Sequence, residues 1–472
     1  MFTTTTELLP HQLPAVEKLL PLRVGGLFMD MGTGKSRVAI ELVARRQRHI
    51  DRVIVYCPVA LKEMWADEIA LHTDCRHDQV YLFDDDTRGE TLPAAFWYII
   101  GIESVSQSNR VAVLANGLTT ERTLVIVDES GYIKGHDSLR TLRISRYSEP
   151  ARYRLELTGT PISQGVQDLY AQMRFLSPSI LGYGSFYSFA ANHLEYSDEY
   201  PGMVIRAHNT AWLAAKMQPY IYQITKEEAG INLPPKRRDA RYCWLTHQQR
   251  EAYEQAKWEI LSEADDIDGT TIFRIFGALQ QIASGFWNRQ GETIELPHAR
   301  LDTLLRALAD VPAGEKAILW CKYLYSVRQV TAALTAAYGA AAVCQYHGEL
   351  SEGERSVELA RWRREGLFFV ATAGTGGHGL TLTQSALAIF YENEFKYVHR
   401  LQAEDRIHRL GQQRSPLYLD IWARCNIEER IRASHAKKGN AVDDFRRKVA
   451  AIKRAHPGNL KEKIAKLLEA TA

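Results

Sequence analysis

The chain has 472 residues, and a composition of 46% hydrophobic and 24% charged residues excludes wholesale disorder. Its length predicts two to four domains of a typical ~100–200 residues. The 58 Lys and Arg nearly balance the 56 Asp and Glu, for a net charge of +2, so a basic coat protein is excluded. The six cysteines form no C-x-x-C pair, which argues against a zinc module or a disulfide framework and favours a reducing compartment. No secretory signal and no apolar run of ~18 residues is apparent, so we expect neither secretion nor a membrane span.

Short apolar runs separated by helical stretches fill the first part of the chain. The runs predicted as buried strands are residues 25–32, 52–59, 96–102, 122–130 and 152–160. After about residue 300 the alternation resumes, with predicted strands at 316–323, 341–348, 366–373, 387–393 and 417–424. Apolar strands alternating with helices indicate parallel sheets covered on both faces. The sequence therefore predicts an α/β protein with two halves, joined by helical material and a turn-rich, basic linker at 231–238.

A glycine-rich turn follows the first predicted strand and precedes a helical stretch. It reads Met-Gly-Thr-Gly-Lys-Ser over residues 31–36. Backbone N–H groups and a helix N-terminus in such a turn point at phosphate oxygens. Lys35 would reach the β- and γ-phosphates, and the Ser36 hydroxyl would bind Mg²⁺. The alternative is a strand–helix turn without a ligand, since Met29 stands where the strict motif has its first glycine, but the context favours a phosphate loop.

Two carboxylates end the strand predicted at 122–130. Ligands bind open α/β sheets at the carboxyl ends of their strands, which is where Asp128 and Glu129 stand. Asp128 is suited to holding Mg²⁺, and Glu129 to orienting the attacking water. By itself an Asp-Glu pair after a strand is more often a surface turn. With a phosphate loop upstream, the catalytic interpretation is favoured.

The second half contributes two arginines and a glycine-rich turn. Arg406 and Arg409 are predicted on one helical face at i, i+3, where guanidinium groups could stabilise charge on a γ-phosphate. The alternative is an ordinary charged helix. The turn at 374–380 follows a predicted strand and is suited to contacting a phosphodiester or the nucleotide. Residues 432–472 hold 11 Lys and Arg against 4 Asp and Glu, a net charge of +7, which favours equally a solvated helical face and a DNA- or partner-facing helix.

Together these motifs resemble the superfamily 2 helicase-like ATPases, in particular their Swi/Snf-type double-stranded DNA translocase branch. The resemblance runs from about Leu8 to Arg430, in the family order. The segments that carry it are 9–12, 31–36, 56–59 with Trp65, 128–134, 157–162, 225–228 with 233–236, 376–380 and 402–412. The string Arg-Ile-His-Arg-Leu-Gly-Gln at 406–412 is the most branch-specific. Two positions depart from the family: Gly131 replaces the histidine of Asp-Glu-Ala-His (DEAD/DEAH box), and Gln223-Ile224 stand where two arginines are common.

The resemblance implies two RecA-like P-loop lobes with inserted helical protrusions and a basic helical tail. The expected divisions are an ATP-binding lobe at 1–222 with a protrusion from about 162, a linker and second protrusion at 223–295, a helicase lobe at 296–430, and the tail at 431–472. Hydrolysis would require closure of the lobes. No accessory domain is recognised, so we expect a minimal motor.

The resemblance also implies roles for individual residues. Catalysis is expected from Lys35, Asp128, Glu129, Arg406 and Arg409. ATP is expected to bind Gln12, Met31, Gly32, Thr33, Gly34, Lys35, Ser36 and Gln402, with Mg²⁺ on Ser36 and Asp128. Coupling or DNA contact is expected from Pro58, Thr158, Gly159, Thr160, Thr372, Gly377 and Gly379.

Three functions remain open at this point. The first is a DNA-dependent ATPase that moves along double-stranded DNA, held through phosphates with little sequence preference, and remodels protein–DNA or DNA structures. The second is a strand-separating helicase subunit of a nuclease or restriction-type system, with a protein partner. The third, a DNA-binding scaffold with an inactive ATPase, is disfavoured by the intact motifs. Each implies a cytoplasmic or nucleoid-associated protein.

Overall fold

A computed structural model of the chain describes residues 1–162, 165–198, 202–376, 380–455 and 460–469. Those residues form two compact units, one built from residues 1–197 and 202–232 and the other from residues 233–469. Each unit contains its own parallel sheet with helices on both faces. In the described part of the chain, no helix is long and apolar enough to cross a membrane.

The first unit is organised around a seven-stranded parallel sheet in the order β3-β4-β2-β5-β6-β1-β9. Its strands are β1 Val24–Met29, β2 Arg52–Cys57, β3 Val80–Leu82, β4 Trp97–Gly101, β5 Thr123–Asp128, β6 Tyr153–Thr158 and β9 Ile221–Ile224. A separate antiparallel hairpin comprises β7 Leu194–Tyr196 and β8 Val204–Ala207. The helices are α1 Leu13–Leu19, α2 Lys35–Arg46, α3 Lys62–His72, α4 Ser104–Gln107, α5 Asn109–Leu118, α6 Leu139–Ser148, α7 Asp168–Leu176, α8 Pro178–Leu181, α9 Phe186–His193 and α10 Thr210–Met217.

Alternate residues of the central strands fill two cores, one on each face of this sheet. Ile54 and Val125 lie in one core, whereas their neighbours Val53 and Leu124 lie in the other. Because successive side chains of a strand point to opposite faces, a strand covered on both faces is mostly apolar along its length. This explains why the central strands could be predicted as continuous apolar runs.

The second unit has a six-stranded parallel sheet in the order β10-β17-β16-β13-β15-β14. Its strands are β10 Arg237–Trp244, β13 Ala317–Cys321, β14 Val343–Tyr346, β15 Phe368–Thr372, β16 Leu387–Phe390 and β17 Leu417–Arg424, and β11 Phe286–Arg289 with β12 Glu292–Glu295 form a hairpin. The helices are α11 His247–Glu263, α12 Gly269–Ala283, α13 Arg300–Ala309, α14 Leu324–Tyr338, α15 Glu352–Arg364, α16 Ala373–Gly376, α17 Tyr397–Glu404, α18 Asn426–Ala436, α19 Ala441–Ala455 and α20 Leu460–Leu467. Short 3-10 turns occupy Gln47–His49, Val59–Leu61, His77–Gln79, Ser130–Ile133 and Ala340–Ala342.

Every strand predicted from an apolar run is present, but three strands of the two parallel sheets were not predicted. β3 and β9 are short edge strands, and β10 is the edge strand of the second sheet. Most side chains of β10 are exposed or half-exposed, so its sequence lacks the apolar run that marks a central strand. The stretch 231–238, predicted as a linker, therefore runs into a strand that pairs with β17 over its full length.

The basic C-terminal segment is helical and packs against its own unit through apolar side chains. Phe445 of α19 lies 5.2 Å from Phe276 of α12, measured between ring centroids. Val449 and Ile464 are also buried. Nη2 of Arg430 donates a hydrogen bond of 2.5 Å to the carbonyl of Leu467 in α20. The described part of this segment is thus an integral part of the second unit, and among its cations Lys437, Lys448 and Lys466 are exposed.

Candidate functional site

Three loops of the first unit leave the same edge of its sheet. They follow β1, β5 and β6, which are neighbours in the order β5-β6-β1. Because parallel strands place their carboxyl ends at one edge, these loops meet there. They carry the phosphate-loop sequence, the Asp128-Glu129 pair and the Thr158–Pro161 segment, respectively.

The loop after β1 has the conformation of an anion-binding turn. Gly32 and Gly34 both adopt positive φ angles, of 80° and 84°. The Thr33 hydroxyl donates a hydrogen bond of 2.7 Å to the Asp30 carbonyl, closing the turn. Lys35 is the first residue of α2, so the loop ends at the N-terminus of a 12-residue helix. Its ammonium donates to the carbonyls of Met29 at 2.9 Å and Asp30 at 3.3 Å, which holds it over the turn.

Gln12 lies directly against this loop. Its side-chain Nε2 donates a hydrogen bond of 3.1 Å to the Thr33 carbonyl, and its Oε1 accepts one of 2.9 Å from the Leu9 N–H. His11 Nε2 lies 2.8 Å from the same Thr33 carbonyl. A Cβ on Gly34 would overlap the Gln12 amide, so glycine is required there by space as well as by φ. The predicted glutamine and the predicted loop are therefore parts of one structure.

Asp128 is the last residue of β5 and is buried beside the loop. Its Oδ2 accepts a hydrogen bond of 2.9 Å from the Trp65 indole, and its Oδ1 accepts one of 2.9 Å from the Glu129 N–H. Burial, and then the neighbouring Glu129 carboxylate, raise the pKa of Asp128 to about 6, whereas the Trp65 hydrogen bond and the Lys35 charge act in the opposite direction. A buried carboxylate with a raised pKa is one that a nearby cation would return to its ionised form.

Glu129 has a backbone conformation that few non-glycine residues adopt. Its φ is 51° and its ψ is 59°, in the left-handed region. Such conformations cost of order 1 kcal/mol or more and concentrate where a side chain must be aimed at a ligand. Glu129 immediately precedes the 3-10 turn Ser130–Ile133.

The oxygen donors at this edge fit Mg²⁺. Magnesium prefers hard oxygen ligands and usually takes one or two from the protein, with substrate phosphates and water completing the shell. Asp128 supplies a carboxylate at the strand end, and Ser36 supplies a hydroxyl on the first turn of α2. Among the described residues, no three His, Cys, Asp or Glu side chains cluster as metal ligands. An ion that arrives with a nucleoside triphosphate does not need such a cluster.

The remaining predicted coupling residues of the first unit flank the same edge. The Thr158 hydroxyl accepts a hydrogen bond of 3.0 Å from the Thr160 N–H, which folds the loop after β6. A Cβ on Gly159 would lie 3.4 Å from the Met31 backbone nitrogen, so this loop touches the phosphate loop. Pro58 precedes the 3-10 turn Val59–Leu61.

Arg406 and Arg409 converge in the second unit, but not on a helical face as predicted. α17 ends at Glu404, and the arginines follow in successive turns. They nevertheless direct Nη1 to the same Leu380 carbonyl, at 3.4 Å and 3.2 Å. Arg406 is also bonded through Nε to the carbonyl of Gln402, which is buried on α17. The i, i+3 prediction was wrong about the helix because spacing alone does not show where a helix ends.

The other predicted residues of this unit are only partly described. Thr372 is the last residue of β15, at the carboxyl edge of its sheet. Gly377 and Gly379 lie outside the described residues.

Sequence reasoning missed three side chains that hold the loops of the first unit in place. Trp65 belonged to the resemblance but had no role, and the structure shows it bonded to Asp128. Glu103 accepts a hydrogen bond of 3.0 Å from the Val59 N–H. Gln172 of α7 bridges two of the loops. No local pattern marks such residues, since their partners are distant in the chain.

Two parallel-sheet lobes and a Gly-Lys-Ser loop opening a helix define a protein of the RecA-like α/β class. Residues 11–285 match the SNF2-related domain, and residues 299–411 match the helicase conserved C-terminal domain. The chain belongs to the SNF2-related, helicase-like family.

Two curated relatives illustrate the distance to known proteins. The chain is 24% identical over 468 residues to "Chromodomain-helicase-DNA-binding protein 1-like" of Danio rerio, covering 92% of this chain and 43% of that protein. It is 22% identical over 441 residues to "ISWI chromatin-remodeling complex ATPase CHR11" of Arabidopsis thaliana, covering 89% and 40%. The chain thus spans less than half the length of these relatives. Among solved structures it is similar to "Sulfolobus solfataricus SWI2/SNF2 ATPase core in complex with dsDNA", at 20% identity and a TM-score of 0.44, covering 100% of this chain and 98% of that one.

Proposed function

We propose that this chain is a DNA-dependent ATPase that moves along double-stranded DNA and remodels protein–DNA or DNA structures. The observation that carries the proposal is the meeting of the phosphate loop, Asp128-Glu129 and the Thr158–Pro161 loop at one sheet edge, in a chain of the SNF2-related family. The match of residues 299–411 to the helicase conserved C-terminal domain supports the proposal, because a motor of this kind needs a second lobe.

The proposed roles in hydrolysis follow from the contacts of the first unit. Lys35 and the N–H groups of the loop hold the β- and γ-phosphates, and Gln12 contributes to the adenine side of the site. Asp128 and Ser36 would hold Mg²⁺, which when bound supplies charge neutralisation for the transferring phosphoryl group. Glu129 orients the attacking water. Gln402 is proposed to contribute to ATP binding.

The arginines of the second unit have a different proposed role. Arg406 and Arg409 are held over one carbonyl by fixed hydrogen bonds, so their guanidinium groups are positioned in advance. Such groups act mainly on charge that develops in the transition state, and they contribute little to binding of the ground state.

An ATPase assay across nucleic acids tests the proposal. Steady-state hydrolysis is measured with duplex DNA, single-stranded DNA, RNA and no polymer, with Glu129→Gln as the matched inactive control. Duplex DNA is expected to raise the rate most. Equal rates under all four conditions, sensitive to Glu129→Gln, would leave an ATPase but remove the DNA-dependent function.

The mode of DNA binding has its own test. If DNA is held through its phosphates, affinity falls steeply between ~50 and ~200 mM salt and varies little with sequence. Binding is measured by fluorescence anisotropy on several unrelated duplexes across that range. A flat salt response or strong preference for one sequence would contradict phosphate-based binding.

A displacement assay separates translocation from strand separation. A translocase strips the third strand from a triplex and leaves the duplex below it intact, whereas a helicase of a nuclease or restriction-type system separates forked strands. We expect triplex displacement that requires ATP and is lost in Glu129→Gln. Unwinding of the fork in the absence of triplex displacement would favour the helicase alternative.

A further inference from the structure

Gln172 is a fully buried glutamine whose side-chain amide uses both of its ends. Its Oε1 accepts a hydrogen bond of 2.6 Å from the Ser130 hydroxyl. Its Nε2 donates hydrogen bonds of 2.8 Å to the Pro161 carbonyl and 2.8 Å to the Asp168 carbonyl. Gln172 itself has no accessible surface, and its bonds to Ser130 and Asp168 are buried. One side chain thus links two loops and the helix that carries it.

The Ser130 end of this link adjoins the proposed catalytic residues. Ser130 follows Glu129 directly and is buried at the start of the 3-10 turn. Gly131, the next residue, has no side chain, and a Cβ there would meet nothing within 4 Å. It borders an open cavity of about 820 Å³ that His136 and Arg140 also line. At these two positions the turn therefore contacts the rest of the unit through Ser130 and not through a side chain at 131, while Ile133 at its other end is buried in the core.

The Pro161 end of the link adjoins the loop that touches the phosphate loop. Pro161 follows Thr160, whose N–H is bonded to the Thr158 hydroxyl. A Cβ added to Gly159 would lie 3.1 Å from Cγ of Met31, so the two residues are close neighbours. The Pro161 carbonyl therefore lies one turn of chain away from the backbone around the proposed nucleotide site. A shift of this carbonyl can reach that backbone through the loop.

We propose that Gln172 is a positioning residue that couples the Asp128-Glu129 turn to the Thr158–Pro161 loop. A change at Glu129 between nucleotide states would move Ser130, and the amide would carry that movement to the Pro161 carbonyl. The inference rests on the proposed function, because it concerns how hydrolysis at that site is coupled to DNA.

The alternative is a glutamine that only fills the core. An apolar side chain of similar size would fill the same volume without burying an amide, whose transfer from water is costly unless every group is bonded. If the role is purely structural, substitution should lower stability and impair all kinetic constants to a similar extent. A coupling role predicts a selective loss of DNA stimulation, since mutations along such links change the coupling between sites and can leave binding at each site intact.

The test compares Gln172→Met, Gln172→Glu and Ser130→Ala with a matched control. Methionine keeps the length of the side chain and removes all three bonds, whereas glutamate keeps an acceptor for Ser130 and removes the donor to Pro161. The control is Gln249→Met, because Gln249 is equally buried, accepts from the Thr246 N–H at 3.0 Å and donates to the Ile282 carbonyl at 2.7 Å, in the second unit. Thermal unfolding is measured for each variant to check that it is folded.

The readouts are the ratio of DNA-stimulated to basal kcat, the KM for ATP, and amide hydrogen exchange of residues 158–162 with and without a non-hydrolysable ATP analogue. In Gln172→Met and Ser130→Ala we expect the ratio to fall about fivefold or more, with KM within about twofold. In the double variant Gln172→Met with Ser130→Ala, the ratio should fall no further than in either single variant, since both substitutions break the same link. The analogue should change exchange at 158–162 in the wild-type chain but not in Gln172→Met. Gln249→Met should lower stability and keep the ratio.

A folded Gln172→Met variant with the wild-type ratio and the wild-type exchange response would overturn the coupling role and leave the proposed function standing. If the wild-type chain hydrolyses ATP without DNA stimulation, the exchange comparison alone decides the role of Gln172. A wild-type chain that binds no ATP would overturn both proposals.

Discussion

The Trp65 indole donates its N–H to Oδ2 of Asp128 at 2.9 Å, and both side chains are buried. Trp65 comes from α3 and Asp128 from the end of β5. The hydrogen bond occupies one carboxylate oxygen on the protein side, which fixes the orientation of the carboxylate. It also favours the ionised form of a group whose pKa burial raises.

Trp65→Phe should therefore lower kcat clearly, while the free energy of unfolding changes little. Phenylalanine keeps most of the buried ring but leaves Asp128 without its side-chain donor, which raises the pKa of Asp128 further. We expect kcat to fall by about tenfold, the size of one lost charge-assisted hydrogen bond. Trp320→Phe is the control, because its buried indole N–H finds no acceptor among the described residues. Equal loss of kcat in both variants would assign the effect to packing.

Glu129→Gln should keep ATP binding and abolish turnover. The amide has nearly the shape of the carboxylate but cannot polarise the attacking water as a base. Binding of a fluorescent ATP analogue and steady-state hydrolysis measure the two quantities separately. Multiple turnover at the normal rate would remove Glu129 from the proposed role.

Arg409→Ala and Lys35→Ala should separate transition-state from ground-state contacts. Arg409→Ala is expected to leave ATP affinity within a few-fold while kcat drops by about 10³ or more, as in other arginine-finger systems. Lys35→Ala should weaken affinity and kcat together, because Lys35 belongs to the loop that binds the phosphates. DNA is not expected to rescue Arg409→Ala. Normal DNA-stimulated hydrolysis by Arg409→Ala would show that this arginine does not act on the reaction.

Glu156 should make the stability of the first unit depend on pH. It is fully buried on β6, and neither carboxylate oxygen has a hydrogen-bond partner in the described part of the chain. Burial raises the pKa of Glu156 from an ordinary 4.5 to about 8. Between these values the folded chain holds a proton that the unfolded chain has released. The free energy of unfolding therefore falls as pH rises through this window, by up to about 1.4 kcal/mol per pH unit.

Glu156→Gln should remove most of this dependence, since its amide is neutral at every pH. Urea unfolding of the wild-type chain and of Glu156→Gln from pH 5 to pH 8 measures it, with the exposed Glu292→Gln as the control. If the free energy of unfolding depends on pH in the same way in the wild-type chain and in Glu156→Gln, then Glu156 is ionised in the folded chain at neutral pH.

The basic C-terminal helices should contribute stability and DNA affinity through different residues. Deleting the segment after Arg430 removes Phe445 from its packing against Phe276, and removal of a buried phenylalanine side chain alone costs about 3–5 kcal/mol. A deletion therefore cannot report on charge. The exposed lysines can be changed without disturbing this packing, as in the combined variant Lys437→Gln, Lys448→Gln, Lys466→Gln.

We expect this variant to unfold at the wild-type temperature and to bind duplex DNA more weakly. The slope of log affinity against log salt should decrease by about 1 for each DNA phosphate that a lysine no longer neutralises. Anisotropy titrations at several salt concentrations measure the slope. An unchanged slope would indicate that these helices present a solvated face.

The sequence by itself determined the architecture of the central sheets. Strands such as β2 and β5 are covered on both faces, so their central residues are apolar on both sides and stand out as short apolar runs. The phosphate loop could be predicted equally well, because its glycines, Lys35 and Ser36 lie together within one turn of chain. Asp128 and Glu129 could be assigned because they end such a strand.

Tertiary structure alone decided what lies at the sheet edges and what holds the site. The charged strand β10 has one open side and needs no apolar run, so the sequence analysis did not predict it. α17 ends ahead of Arg406 and Arg409, and both arginines donate to the carbonyl of the distant Leu380, a convergence that their spacing in the sequence does not show. Trp65 and Gln172 act on residues 63 and 42 positions away, through hydrogen bonds that exist only once the strands between them are paired. Neighbouring residues in the sequence show which chemical groups a site contains. The orientation of those groups depends on hydrogen-bond partners that only folding brings within about 3 Å.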